Sequence, residues 1–321
     1  MKINPKRVMA LCRSWKLILP LVSFLMASST LRAQLREVYR GSNANDDING
    51  MSFISPSTGF VAFSKFVGFT QDSGHSYVQR PITTSNVNYN GYQVGLTFGF
   101  TPTGVVAFSK DSLLAYGDFS FEPSILFSAD QGQTWKLVFH RDLNASAPAL
   151  SEGITDIEFP GNGSTGFALH HEEVLRSTDR GQTWTTVLNA PNQFLRKLSF
   201  PVATTGYVSG GNEVLVTTNT GASWTNITPT TNSDNNFNNI FFVSPTTGYT
   251  TEKTRLQVYK TTNGGSSWNK MNDESLVPAG GSDLWFINDS TGYIADGSYN
   301  VSKTTNSGKN WEVCKKAIAY Q

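Results

Sequence analysis

The chain has 321 residues, with 25 Lys and Arg against 24 Asp and Glu for a formal net charge of +1, and only 15% of it is charged. That balance excludes a general role on nucleic acid or on an acidic membrane surface. With 28 Gly, 12% aromatic residues and two cysteines, the composition suits strands and turns held by a core rather than by disulfides.

Residues 1–33 read as a secretory signal. Lys2, Lys6, Arg7, Arg13 and Lys16 make a basic start, residues 17–27 form an apolar run broken by Pro20, and Ala33 precedes Gln34 as a cleavage point. A cut after Ser29 is the alternative. The run is too short for a good membrane span and Arg32 follows it closely, so none is expected in the mature chain. Cys12 lies before the apolar run, which argues against a lipoprotein. The mature chain, residues 34–321, is read as one domain that is secreted, periplasmic or in the cell envelope, with Cys314 as its only cysteine.

Leu35-Arg36-Glu37-Val38-Tyr39-Arg40 has the pattern of an outer strand. It is expected to pair beside Trp311 in the last unit and clasp the chain ends. Two signals then alternate along the chain. The first is an apolar strand ending in Phe, a polar turn, then Gly and usually an aromatic, as in Phe53-Ile54-Ser55-Pro56-Ser57-Thr58-Gly59-Phe60. It recurs at 98–105, 159–167, 200–207, 242–249 and 286–293, and a hairpin turn is expected at each Gly. In the second unit this places the turn near Gly104 and leaves 110–122, with Tyr116, Asp118, Phe119 and Phe121, as a long loop.

The second signal is Ser177-Thr178-Asp179-Arg180-Gly181-Gln182-Thr183-Trp184 and five more stretches reading Ser/Thr-x-Asp/Asn-x-Gly-x-x-aromatic. Their fixed positions are Asp72 and Gly74 (with Tyr77); Asp130, Gly132 and Trp135; Asp179, Gly181 and Trp184; Asn219, Gly221 and Trp224; Asn263, Gly265 and Trp268; and Asn306, Gly308 and Trp311. An Asp or Asn side chain accepts from backbone N–H groups just downstream, and Gly takes a positive φ without steric strain. These residues are therefore read as structural. The spacings of 58, 49, 40, 44 and 43 residues mark a repeat architecture.

Each unit divides into four short strands, in the third unit 154–159, 166–169, 173–177 and 183–188. A single unit cannot bury both faces, so the units pack radially. The expected fold is all-β, a six-bladed β-propeller of four-stranded antiparallel blades, with seven blades as the alternative.

The six stretches resemble the Asp-box, or BNR repeat, of sialidases, sortilin-type receptors and the photosystem II assembly-factor-like propellers. The resemblance spans Thr70 to Trp311. It implies a propeller with Asp-box turns, a fold shared by enzymes and by non-catalytic binding proteins.

In such a blade both repeated turns lie at one end, and the loops that vary lie at the other, where recognition tends to sit. Asp156, Lys197, Asn239 and Asp283, just before the inner strands, are expected at the mouth of the central channel. Together with Arg196 and Arg255 they are the candidate ligand-binding residues. His170-His171-Glu172-Glu173 carries metal-ligand residue types, but neighbours on a strand end point apart, so it is read as a solvated loop, as is Asp46-Asp47. No metal and no cofactor are expected.

A sialidase-like hydrolase needs three arginines, an acid/base carboxyl group and a Tyr–Glu pair. Arg80, Arg141, Arg196 and Arg255 are expected near the variable face, but the Arg-Ile-Pro signature of sialidases is absent, with Gln79-Arg80-Pro81 a faint echo. The reading is an exported non-catalytic binding or assembly module, probing a protein or glycan partner as a monomer. The alternative is a sialidase-like glycoside hydrolase.

Overall fold

The computed structural model describes residues 48–315 apart from 93, 95–98, 143–152, 192, 231–235, 253–256, 272–282 and 296–300. The signal at 1–33, the strand expected at 35–40, Asp46-Asp47 and Arg255 lie outside the described residues.

Local chemistry sets the repeated turn. Ser177 Oγ donates to Asp179 Oδ1 at 2.8 Å and accepts the Gly181 N–H at 2.8 Å. Asp179 then accepts the Thr183 N–H at 2.9 Å and its hydroxyl at 2.6 Å. Arg180 and Gly181 both take positive φ, 58° and 80°, which closes the turn. The same bonds hold Thr70 to Asp72 and Ser128 to Asp130. Where Asn replaces Asp, Asn219 and Asn263 donate through Nδ2 to Ser223 and Ser267, and their Oδ1 still accepts the backbone N–H. One geometry thus tolerates either acid or amide.

These turns join the strands of six sheets. The first is β1 (Ile48–Phe53), β2 (Gly59–Phe63), β3 (Phe66–Thr70) and β4 (Val78–Pro81). The second runs β5 (Val87–Asn88), β9 (Trp135–His140), β8 (Glu122–Ser128), β7 (Leu113–Phe119) and β6 (Phe100–Ala107) across its width. The third holds β10 (Asp156–Glu158), β11 (Gly166–His170), β12 (Glu173–Ser177) and β13 (Thr185–Asn189), and the fourth β14 (Leu195–Val202), β15 (Thr205–Gly210), β16 (Glu213–Thr217) and β17 (Thr225–Asn226). The fifth is β18 (Phe237–Phe242), β19 (Gly248–Glu252), β20 (Gln257–Thr261) and β21 (Asn269–Lys270), and the sixth β22 (Asp283–Phe286), β23 (Gly292–Ala295), β24 (Val301–Thr304) and β25 (Glu312–Lys315). Every pairing is antiparallel except β5 on β9, an added parallel edge strand that no sequence signal announced. The chain is an all-β propeller, with six sheets among the described residues.

Both repeated turns meet at one end. The turn residue before each Gly donates its N–H to the hairpin between the first two strands: Ser73 to Ser57, Gln131 to Asp111, Arg180 to Ser164, Thr220 to Thr204, and Ser307 to Ser290. Gly264 does the same to Thr246. At the other end, the chain at or just before an inner strand bonds to the previous sheet, Leu195 and Phe237 to the turn residues His171 and Gly211, and Ile154 to Gly117 near the end of β7.

Faces of neighbouring sheets interlock through aromatic pairs. Phe167 stacks on Phe200 at 3.7 Å between ring centroids, Tyr207 on Phe242 at 3.3 Å, and Tyr249 on Phe286 at 3.5 Å. The tyrosine hydroxyls add bonds to the carbonyls of Pro245 and Asp289 in the next sheet. Tyr293, at the equivalent place in the sixth sheet, is 2% exposed, and Val61 and Phe63 on the far face of the first sheet are fully buried.

The Gly of the first signal is not itself a positive-φ turn residue. Gly59, Gly166, Gly206, Gly248 and Gly292 lie at or next to the start of a strand, against the Phe at or near the end of the strand before, and a Cβ on any of them would collide with the ring of Phe53, Phe159, Phe200, Phe242 or Phe286. These glycines make room for a core ring. In the second sheet the volumes are reversed: Ala107 faces Leu113. The hairpin there is 108–112, where Phe108 and Ser109 donate to the Ser112 carbonyl. Gly104 lies inside β6 under the Tyr116 ring. The long loop expected at 110–122 is therefore corrected: it is strand β7, closed by Ser120 and Phe121, both at positive φ. Tyr116 and Phe119 are core residues, 2% and 3% exposed.

Candidate functional site

The end that carries the varying loops gathers the polar and exposed groups. Lys197 from β14 lies with Nζ 3.2 Å from Asp283 Oδ1 of the sixth sheet and 3.9 Å from Asp156 Oδ2 of the third. Three of the four channel residues thus meet from three sheets, which requires the inner strands to surround a common axis. Asp156 also accepts the Leu198 N–H at 3.4 Å. Its side chain is only 2% exposed, against 17% for Lys197 and 12% for Asp283. Asn239, 3% exposed, is turned to its own sheet, where Nδ2 donates to Thr251. The ammonium occupies the space between two carboxylates, so this constellation is a cross-channel brace with one carboxylate charge in excess.

Of the three candidate arginines among the described residues, Arg80 does not join the other two at the varying end. Arg196 is exposed beside the channel residues. Arg80 donates through Nε to the Gln131 carbonyl, in the repeated turn of the second sheet and so at the opposite end. Its assignment to the variable face is corrected: Arg80 holds a turn, as Arg176 does at Thr220. Arg141 pairs with Glu173 at 2.8 Å.

Around that pair lies a cluster that the sequence hid. His170 and Glu173 end and begin paired strands, so they share a face and lie 4.0 Å apart, while His171 and Glu172 form the turn. Burial, then the Arg141 and His171 charges, push the His170 pKa down to about 4, so the ring is neutral at pH 7. Burial pushes Glu173 up, opposed by Arg141. One sheet earlier, His140 Nδ1 lies 2.9 Å from Ser124 Oγ and Nε2 3.4 Å from Glu122 Oε2. Ser, His and Glu in that order suggest a nucleophile and its base, but Ser124 has no exposed surface and its hydroxyl also donates to the Glu122 carbonyl. It cannot meet a substrate and acts as a strut. Among the described residues no group of three or more His, Cys, Asp or Glu is placed to hold a metal ion.

Over this cluster sit aromatic rings. Tyr92 meets His140 edge-on at 6.0 Å and Phe194 meets His171 at 4.7 Å. Phe121 stands at the tip of the β7–β8 hairpin, its N–H bonded to Asp118. Among the described residues these three are the exposed aromatics, at 36%, 40% and 65%. Sequence reading put Phe121 in a loop of the varying face and singled out none of Tyr92, His140 and Phe194, since their juxtaposition depends on contacts distant in sequence.

No protein-family model matches the chain, and no curated protein sequence matches it. Solved structures of similar fold do. One is YCF48 from Cyanidioschyzon merolae, 16% identical with a TM-score of 0.59 over 83% of this chain and 84% of that one. YCF48 bound to a D1 peptide is 16% identical with a TM-score of 0.57 over 83% and 82%. The GH74 xyloglucanase from Xanthomonas campestris is 14% identical with a TM-score of 0.65 over 85% of this chain, which spans only 48% of that enzyme. These likenesses establish the propeller fold. Among the described residues no helix is long and apolar enough to cross a membrane.

Proposed function

We propose that the chain is an exported, non-catalytic propeller of the Asp-box type that binds a protein or glycan partner through the face carrying the varying loops. The observation that carries this reading is the gathering of Tyr92, Phe121 and Phe194 on that face across adjoining sheets. Exposed aromatics gathered on one face are the usual mark of a recognition surface. The likeness to YCF48 with a bound D1 peptide supports a peptide-binding use of the fold. Arg196 is assigned to this surface, with the Asp156, Lys197 and Asp283 set at its centre; Arg255, expected beside it, lies outside the described residues.

The sialidase-like alternative loses Arg80 to the opposite end and has Arg141 engaged by Glu173. The experiment is a turnover assay of the purified mature chain, residues 34–321, on fluorogenic sialosides and on xyloglucan. A folded sample is expected to release no product. Turnover that Arg196→Ala abolishes would replace the binding reading with an enzyme.

A further inference from the structure

The three exposed rings lie in a charged setting of one dominant sign. Phe121 is flanked by Asp118, which accepts its N–H, and by Glu122. Next along the rim are His140 with Tyr92 over it, then Arg141 and the exposed Asp142. The rim continues through Glu173 and Glu172 to His171 and Phe194. Among the described residues of this rim stand five carboxyl groups, Asp118, Glu122, Asp142, Glu172 and Glu173, of which burial pushes Asp118 and Glu173 up, against the guanidiniums of Arg141 and Arg196. Arg141 is already engaged by Glu173 at 2.8 Å. The three aromatics sit only at this end; the exposed aliphatics Ile54 and Ile287 lie in the hairpins of the opposite end, and Val78 and Val313 on outer strands.

Aromatic faces beside carboxylates are the chemistry of cation recognition. The negative face of a ring attracts an ammonium or guanidinium, and neighbouring carboxylates supply the counter-charge. A neutral glycan uses the rings but gains nothing from the acidic excess, and an acidic peptide is repelled by it. We propose that the rim from the β7–β8 turn to the β11–β12 turn and Phe194 binds an extended peptide segment bearing Lys or Arg side chains. This rests on the binding-module reading and narrows it to one partner chemistry. Phe121 and Phe194 take the cationic side chains, and Glu172 and Asp142 hold the segment by charge.

The probe is a fluorescein-labelled peptide of alternating Gly and Lys, measured by anisotropy on the mature chain beside its Gly-Glu and Gly-Gln counterparts and a labelled xyloglucan oligosaccharide. The lysine peptide is expected to bind saturably, more weakly as salt rises, and the others not to bind. Phe121→Ser with Phe194→Ser should lower the affinity about tenfold and leave the melting temperature unchanged, as should Glu172→Lys. Val202→Ser, whose side chain lies beyond the opposite end of β14, should change nothing. Equal binding of the Gly-Gln peptide, or lysine-peptide binding that survives the double variant, would overturn the proposal. If the glutamate peptide or the oligosaccharide binds and the double variant loses it, the cationic assignment fails while the binding module stands. Saturable binding by none of the probes overturns the proposal, and glycoside turnover would sink the parent reading separately.

Discussion

At the scale of single residues, the repeated turn is the clearest case of chemistry legible in sequence. Each of its residues acts on atoms within four positions, so Asp179, Gly181 and the hydroxyl of Ser177 reveal their roles without any knowledge of the fold. Their acid and amide versions differ in one measurable respect. Hydrogen bonds from the Ser76 side chain and N–H lower the Asp72 pKa to about 2; burial opposes the bonds from Thr134 and Thr183 that lower Asp130 and Asp179. A depressed folded-state pKa stabilises the fold above the ordinary carboxylate value of about 4 and loses that contribution as pH falls through the folded value. Asn219, Asn263 and Asn306 carry no such dependence. Changing Asp72, Asp130 and Asp179 together to Asn should therefore flatten the fall in melting temperature between about pH 4 and pH 2; calorimetry over that range checks it, and an unchanged slope contradicts it. The Lys197 brace was legible only in part, because its partners lie 41 and 86 residues away in sequence. Lys197→Met should destabilise the chain by about 3 kcal/mol by removing the ammonium that lies between Asp156 and Asp283, a loss that denaturant melts will read.

At the scale of strands and hairpins, the first signal was recognised but its physics was misread. The Gly does not bend the chain; it admits the ring of the preceding Phe. That distinction explains the one unit where the pattern led astray. Once Ala107 replaces the ring, Leu113 fills the space, and the hairpin continues without the Gly that marked the others. A test follows from the exchange. Gly206→Leu should cost about 1–3 kcal/mol by overpacking against Phe200, whereas Gly206→Leu with Phe200→Ala, which copies the second sheet, should lose less than the two single changes added together. Strictly additive losses in a double-mutant cycle would show that the two positions do not share one volume. The parallel strand β5 was invisible for another reason: two paired residues, Val87 and Asn88, carry too little pattern to read.

At the scale of the whole molecule, the stacking series from Phe167 to Phe286 is followed in the sixth sheet by Tyr293, which is as buried as its counterparts. If the sixth sheet packs on the first, Tyr293→Ala should destabilise by about 3–5 kcal/mol, as large a loss as Tyr249→Ala; a small effect at Tyr293 alone would mean an open seam. The repeats made the radial architecture legible, whereas the proposed binding face was legible only as an end of the molecule, since Tyr92 and Phe194 come from separate loops and pack on His140 and His171. The measurement that tests the account most directly is site-specific photo-cross-linking in the cell that produces the chain, with a benzophenone side chain placed at Phe121 on the varying face and, separately, at Ile287 on the opposite end. The account predicts a discrete cross-linked partner from position 121 and none from position 287. Adducts from position 287 alone would put recognition on the face of repeated turns and contradict it.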